Sequence, residues 1–510
     1  MDRSLAEGAL FTDQYQLTMA QLYWQQGLHE RPARFEHFFR RYPDYGRHQA
    51  GYCIAAGHAW FGEWARTVRF GEPELAALRS HRTPEGHRVF DDGFLDWLAE
   101  VGGFDALDIT AVPEGRVVHA NVPMTVVEGP LALAQIIETP LLNQLNFQTL
   151  IATKASRVRQ AARGGSVLEF GMRRAADQGA NAASRASLVG GADFSSAVGV
   201  SHLVGFPPRG THAHALVQVY MALGEGELGA FRAYAHAYPD ETLLLVDTID
   251  TLGVGVPNAI TVFDEVRASG HEPVGIRLDS GDLAHLAVLS SQQLDEAGYP
   301  DARIVLSSGL DELAIWQIRN QVRDEAPTYG MDAESVIDRL VYGVGTKMAT
   351  SDGDPNLDGV YKLVAVQDES ASWQPAIKVS DTPAKVVNPG RKRVVRVYGQ
   401  RGKAVADVLA HADEDLAAPL HVNHHATPGI SRTITRISEV EDLLEPMARD
   451  GIDQHEAILA ARERRDADLA RLDPGVLRLV NPHVYHVSLS DRIATMKADL
   501  VAEARASNGS

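Results

Sequence analysis

The sequence predicts an α/β fold built on consecutive βα units, and two observations carry that prediction. Four short apolar runs between Thr242 and Thr346 each end in carboxylates, serines or glycines. Their ends, at residues 247, 279, 308 and 345, stand about 29–37 residues apart, enough for a strand, a loop, a helix and a return loop. Leu243–Val246 runs into Asp247, Thr248 and Asp250; Val274–Ile276 leads to Arg277, Asp279, Ser280 and Asp282. Ile304–Leu306 leads to Ser307, Ser308, Gly309 and Asp311; Leu340–Tyr342 leads to Gly343, Gly345 and Thr346. Buried parallel strands read as such runs, and barrels of βα units place their active sites where the strands end. Carboxylates, an arginine and Gly/Ser turns therefore converge on one mouth suited to a phosphorylated sugar.

A chain of 510 residues is too long for one core and implies two or three domains. Residues 1–140 open with an amphipathic helix near Thr12–Gln26. Strand-like stretches follow at Ala33–Phe39, Ile109–Val112, Arg116–Ala120 and Thr125–Glu128, suggesting a mostly antiparallel layer. Leu141–Arg163 reads as a long helix and Ser166–Phe170 as a strand; the βα series then occupies the rest of 141–355. Beyond the turn-rich SDGDPNLDG, strand-like Tyr361–Val366, Ala376–Val379 and Arg393–Tyr398 return the chain to the first layer. The 1–140 domain is therefore discontinuous, completed by about 356–400. Residues 435–472 are highly charged and read as helical, so 401–510 is expected to be a mostly helical C-terminal region.

Composition narrows the function. Lys and Arg number 48 against 67 Asp and Glu, a net charge of −19 that argues against sequence-independent nucleic-acid binding. One cysteine, Cys53, permits neither an intrachain disulfide nor a multi-cysteine zinc site. No apolar signal core or 18-residue apolar run is present, so no membrane partner and a cytoplasmic location are expected.

Several motifs admit two readings. In GFPPRGTHAHAL, His212 and His214 are i, i+2 neighbours, and spacing alone does not separate a catalytic imidazole from a packed one. In IRLDSGD, Arg277 and Asp279 alternate with apolar residues and share a face. They are either a structural pair or a fork for an anion beside a carboxylate facing developing positive charge. The SSG and YGVGT turns offer backbone amides to a phosphate. LLLVDTIDTLGVG lacks both the second consecutive acid of a Rossmann-like phosphoribosyltransferase loop and the third glycine of a dinucleotide fingerprint. HVNHH (421–425) reads as an exposed loop rather than a metal site, and RKRVVR (391–396) as a basic cluster open to phosphate.

From about residue 10 to residue 490 the chain resembles the nicotinate phosphoribosyltransferase family. TDQYQLTMA, FEHFFRRYP, ETPLLNQLN, EFGMRRA, ASRASLVGGADFSS, GTHAHA, IRLDSGDL, SSGLDE, YGVGTKMATS and NPGRKRVVR carry the resemblance. It implies a type II phosphoribosyltransferase fold: an incomplete α/β barrel joined to an N-terminal open-faced β sandwich, assembled as a homodimer with shared active sites. It implies synthesis of nicotinate mononucleotide and pyrophosphate from nicotinate and phosphoribosyl pyrophosphate with Mg²⁺, as part of NAD biosynthesis. ATP hydrolysis would be coupled through a phosphohistidine at His214. Tyr15, from the partner, and Phe170 would sandwich the pyridine ring, with Arg173 and Arg277 around it. Asp193 and Asp279 would lie near base and ribose, and Ser307, Ser308, Gly309, Gly343, Gly345 and Thr346 would form the 5′-phosphate loops. Arg40 and the 391–396 cluster would contact phosphates, and no protein-only metal site is implied. The alternative is a nicotinamide-using enzyme of the same fold. Catalysis is expected from His214, Asp279 and Arg277.

Overall fold

The computed structural model describes residues 3–380, 386–447 and 453–507. The chain divides into two compact units, one made of residues 1–150 with 356–510 and the other of 151–355. Among the described residues no helix is long and apolar enough to cross a membrane.

The first unit begins with β1 (Pro32–Phe39), β2 (Cys53–Ile54), β3 (Asp108–Ala111), β4 (Val117–Val118) and β5 (Thr125–Pro130). Between these strands lie three helices, His58–Thr67, Glu72–Ser80 and Asp92–Val101, that the strand-centred reading of 1–140 did not contain. Their apolar residues repeat at helical spacing: Phe94, Leu95 and Leu98 are fully buried, packing with Phe61, Phe90 and Phe104. Burying side chains of this size is worth roughly 1.5–3 kcal/mol each.

The second unit holds β6 (Ser166–Glu169), β7 (Phe194–Ser195), β8 (Leu243–Leu245), β9 (Gly275–Leu278), β10 (Arg303–Leu306) and β11 (Leu340–Val344). They form one sheet in the order β7-β6-β11-β10-β9-β8, and every neighbouring pair is parallel. The register is level: Leu245 pairs with Arg277, Arg277 with Val305, and Val305 with Val341. The tips at Asp247, Asp279, Ser307 and Gly343 consequently reach one edge together, with Gly345 two residues further on. Intervening helices, among them Val256–Ala268, Leu283–Glu296 and Glu312–Glu325, make the connections that parallel strands require.

The chain then returns to the first unit as β12 (Gly359–Gln367) and β13 (Trp373–Pro375), giving a sheet in which β12 pairs antiparallel with β1. The expected strand at 376–379 is displaced: pairing stops at Pro375, and Ala376–Val379 is irregular. Next come β14 (Lys392–Gly399), β15 (Ala404–His411), β16 (Leu420–His424), β17 (Ser431–Ile434), β18 (Ile437–Asp442), β19 (Glu445–Pro446) and β20 (Val487–Ser490). β19 joins the sheet of β1; the others form the six-stranded sheet β17-β16-β20-β15-β14-β18.

The mostly helical expectation for 401–510 is therefore corrected: the region contributes five of those six strands and groups with the first unit. Among the described residues of this region, the helices are Gln454–Arg471 and Asp491–Ser507. ISEVED is charged, yet it forms an edge strand half open to water that pairs antiparallel with β14. HVNH is likewise a strand, not a loop, with Leu420 and Val422 buried in the apolar layer of that sheet.

Candidate functional site

At the tip of β9, Arg277 and Asp279 lie on one side of the chain, as alternation along an extended strand requires. The Arg277 guanidinium donates to Asp279 Oδ1 at 3.0 Å and from Nε to Ser307 Oγ at 2.8 Å. Ser307 itself donates to Asp279 Oδ1 at 2.5 Å. Burial alone would raise the Asp279 carboxyl, but the Ser307 hydroxyl and the Arg277 charge outweigh it and hold it below the usual carboxylate range. The group stays ionised at neutral pH, in position to stabilise a cation.

Phe170 follows β6, and its backbone amide donates to Val344 O at 2.8 Å. The Arg277 guanidinium lies 5.6 Å from its ring centroid. A Cβ at Gly343 would come within 2.5 Å of that ring, so the aromatic seat requires glycine on β11. The turn after Phe170 is anchored from below by Glu169, fully buried, which accepts from Ser184 at 3.0 Å, Ser195 at 2.6 Å and the Gly171 amide. The SSG and YGVGT turns are joined by Lys347, which donates to Asp311 Oδ2 at 2.7 Å. Ser308 and Gly309 are exposed with φ of 85° and 64°. Positive φ at the serine is strained backbone of the kind found at ligand-binding turns.

The two histidines have different surroundings. His212 Nε2 accepts the Leu245 amide at 3.1 Å while the ring packs on Phe231 and Tyr234; burial pushes its pKa down to about 4. It is a neutral structural imidazole. His214, one-third exposed at the start of the helix His214–Ala222, has Nδ1 3.0 Å from the Thr248 hydroxyl and Nε2 3.7 Å from Asp247 Oδ1. The Asp247 side chain is fully buried. Its Oδ2 accepts from the Asp279 amide at 2.9 Å and Ser280 Oγ at 2.6 Å, and its Oδ1 has no hydrogen-bond partner among the described residues. One carboxylate thus links the histidine to the Arg277–Asp279–Ser307 cluster.

Other expected residues lie apart from this cluster. Asp193 is held at the base of β6, accepting from Val167 N at 2.8 Å and Arg159 at 3.0 Å. Arg173 is exposed and makes no side-chain hydrogen bond among the described residues. Tyr15, half exposed in the helix Gln14–Gln25, belongs to the first unit, as does Arg40. The basic cluster is occupied internally rather than free for phosphate. Lys392 pairs with Glu36, Arg393 with Asp442, Arg396 with Asp407 and Arg391 with Glu128. Asp247, Thr248 and Ser280, named by the sequence only as ends of the apolar runs, were given no role in the site. Two carboxylates at neighbouring tips were the available signal. Among the described residues no group of three or more His, Cys, Asp or Glu could hold a metal ion.

A cavity of about 560 Å³ follows the sheet from Phe170 and Thr211 at the tips to Leu243, Val274 and Arg303 at the strand starts.

Comparison with known proteins matches residues 10–146 to the nicotinate phosphoribosyltransferase N-terminal domain and 391–497 to the C-terminal domain of the same family. The chain is 37% identical over 503 residues to the nicotinate phosphoribosyltransferase of Bacillus subtilis, covering 98% of this chain and 96% of that one. It is 36% identical to nicotinate phosphoribosyltransferase pncB2 of Mycobacterium tuberculosis, covering 95% and 92%. The crystal structure of human nicotinic acid phosphoribosyltransferase superposes with a TM-score of 0.77 at 29% identity, covering 96% of this chain and 99% of that one.

Proposed function

The chain belongs to the nicotinate phosphoribosyltransferase family, and from that premise we propose how its strand tips carry out the transfer. The protein is an enzyme of NAD salvage acting on nicotinate. The observation that carries the mechanism is the Arg277–Asp279–Ser307 cluster on the adjoining tips of β9 and β10, with Phe170, on the tip of β6 beyond β11, within 5.6 Å of the guanidinium. Nicotinate would lie on Phe170 with its carboxylate drawn by Arg277, since a guanidinium fork suits a planar carboxylate. The ring nitrogen attacks the anomeric carbon of phosphoribosyl pyrophosphate as the bond to pyrophosphate breaks. Asp279 faces the oxocarbenium-like sugar, and the SSG and YGVGT turns hold its 5′-phosphate.

Mg²⁺ fits this donor set in the manner usual for that ion, bound through substrate phosphates and one or two carboxylates rather than a protein cage. Asp247 and Asp279 would supply those carboxylates, and the ion would offset charge on the leaving pyrophosphate. ATP is proposed as co-substrate, with His214 accepting its γ-phosphoryl and passing it to water. Asp247 beside Nε2 favours the tautomer protonated there, leaving the Nδ1 lone pair to attack phosphorus as ADP departs. Arg173, exposed after Phe170, would be a further contact to the base, and Asp193, tied to the Val167 amide and Arg159, would act near it through the position of β6. In architecture we propose an incomplete barrel over 141–355 and an open-faced β sandwich over 1–140 completed by about 356–400. The assembly would be a cytoplasmic homodimer in which Tyr15 of one copy completes the other's base site.

The test is pyrophosphate release with nicotinate, with and without ATP, against nicotinamide as competitor. Release with nicotinate that ATP stimulates is expected; preference for nicotinamide, or indifference to ATP, sinks the corresponding part.

A further inference from the structure

The first unit holds a half-buried lysine that the transfer does not use. Lys497 stands in the helix Asp491–Ser507 and lines a cavity of about 630 Å³. The same helix lends Ala494, Ala498 and Val501 to the cavity wall, and the stretch 423–429 at the end of β16 lends another side.

The lysine's partners are unusual for a cation. Lys497 Nζ donates to Asn388 Oδ1 at 2.8 Å and to the His425 carbonyl at 2.9 Å. Both acceptors are neutral, and among the described residues no carboxylate pairs with this ammonium. Lys154, Lys347 and Lys392 contrast with it, since each meets a carboxylate: Glu312, Asp311 and Glu36 respectively. An ammonium has three N–H groups, whereas a neutral amine has two and a lone pair. Two acceptors therefore satisfy the neutral amine in full and leave its lone pair for the cavity.

The neighbouring charges favour the same form. Asp491 lines the cavity but is engaged by His421 Nδ1 at 2.6 Å and Asn423 Nδ2 at 2.8 Å. The other titratable residues of the lining are His424, His425 and Arg505, none of which supplies a negative charge. Lys392 approaches from β14, its ammonium tied to the carbonyls of Asn388, Pro389 and Gly390, so two lysines share one turn. Burial first, and then this second cation, push the Lys497 pKa down to about 8. Desolvation and an adjacent cation are the two devices that turn an ammonium into a nucleophile near neutral pH.

We propose that Lys497 is a modification site, a nucleophilic amine that takes an acyl group from a small acyl phosphate or acyl thioester admitted by the cavity. The nitrogen lone pair attacks the carbonyl carbon, and the N–C bond forms as the C–O bond to phosphate, or the C–S bond, breaks. The leaving phosphate or thiolate takes that bond's electron pair, and the amine's proton passes to solvent. The product amide is neutral, so acylation removes a half-buried charge that lacks a counterion. Its one remaining N–H serves either Asn388 or the His425 carbonyl, which releases one tie between the helix and its neighbours.

The test is incubation of the full chain with acetyl phosphate and, separately, with acetyl-CoA, acetylation of Lys497 being followed by peptide mass spectrometry. A blocked lysine dipeptide in the same mixture is the internal standard. At about pH 7.5 Lys497 is expected to react about tenfold or more faster than the dipeptide. Its rate should level off above about pH 8, while the dipeptide's climbs towards about pH 10.4. Asn388→Asp sets a carboxylate against Nζ and should slow the reaction about tenfold, with thermal melting confirming that the variant is folded. Reaction with one donor only supports the site and assigns that donor's class. A rate no greater than the dipeptide's with both donors, a profile still climbing at about pH 10, or a rate unchanged in folded Asn388→Asp overturns the proposal.

Discussion

Ser307 bonds at once to the carboxylate and the guanidinium that the reaction needs, so its removal should change an electrostatic property before it changes the fold. Ser307→Ala takes away a hydrogen bond that favours ionised Asp279, and the acid limb of the rate profile should move to higher pH. An unmoved acid limb in the kcat/KM profile would detach Asp279 from the chemistry. The histidines separate in a comparable way. His214→Ala should abolish labelling by γ-labelled ATP with little loss of stability. His212→Ala should keep the label but cost about 1–3 kcal/mol, because the Leu245 amide loses its buried acceptor. Label retained in His214→Ala refutes the assignment. At this scale the motif residues were legible, but the choice between His212 and His214 was not. Both are two residues apart on the same side, and only the Leu245 amide and Asp247, brought in from another segment, distinguish them.

Among the elements, the helix Glu312–Glu325 leaves the SSG turn with its first residue fully buried against Lys154 at 2.7 Å and Arg157 at 2.9 Å. Breaking such a group from one side leaves buried cations without their carboxylate, so Glu312→Ala should cost about 3–5 kcal/mol. Urea unfolding measures this directly; a loss under about 1 kcal/mol would show that the pair is replaceable. The parallel strands were readable because burial on both faces leaves continuous apolar runs, here repeated at regular spacing and each ending in carboxylates, serines or glycines. The C-terminal sheet was not, since its strands are short and flanked by charge. Arg396, fully buried, looks solvated in the sequence because its partners Asp407 and Asp468 lie 11 and 72 residues away. The same pairing removes the 391–396 cluster from phosphate binding.

For the whole molecule, three buried histidines and the half-buried His425 set an acid limit. His37, His212 and His425 are pushed down to about 4 and His119 to about 3, in each case chiefly by burial. An unfolded chain takes up these protons near 6.5, the folded chain only well below, so folding stability is full above that value and falls with pH. Thermal melting should drop between about pH 6.5 and 4. A flat melting temperature across that window would contradict the burial. Subunit sharing is read by mixing inactive Tyr15→Ala and Arg277→Ala proteins: recovery of activity is expected, and its absence argues against a shared site. The sheet of β1 carries one more consequence. Ala33 pairs with Val366, so a nascent chain emerging at roughly 5–20 residues per second exposes β1's free side for tens of seconds before β12 leaves the ribosome. During that interval the strand offers an open ladder to any neighbouring chain, which makes translation speed and chaperone capture, rather than final stability, the determinants of yield.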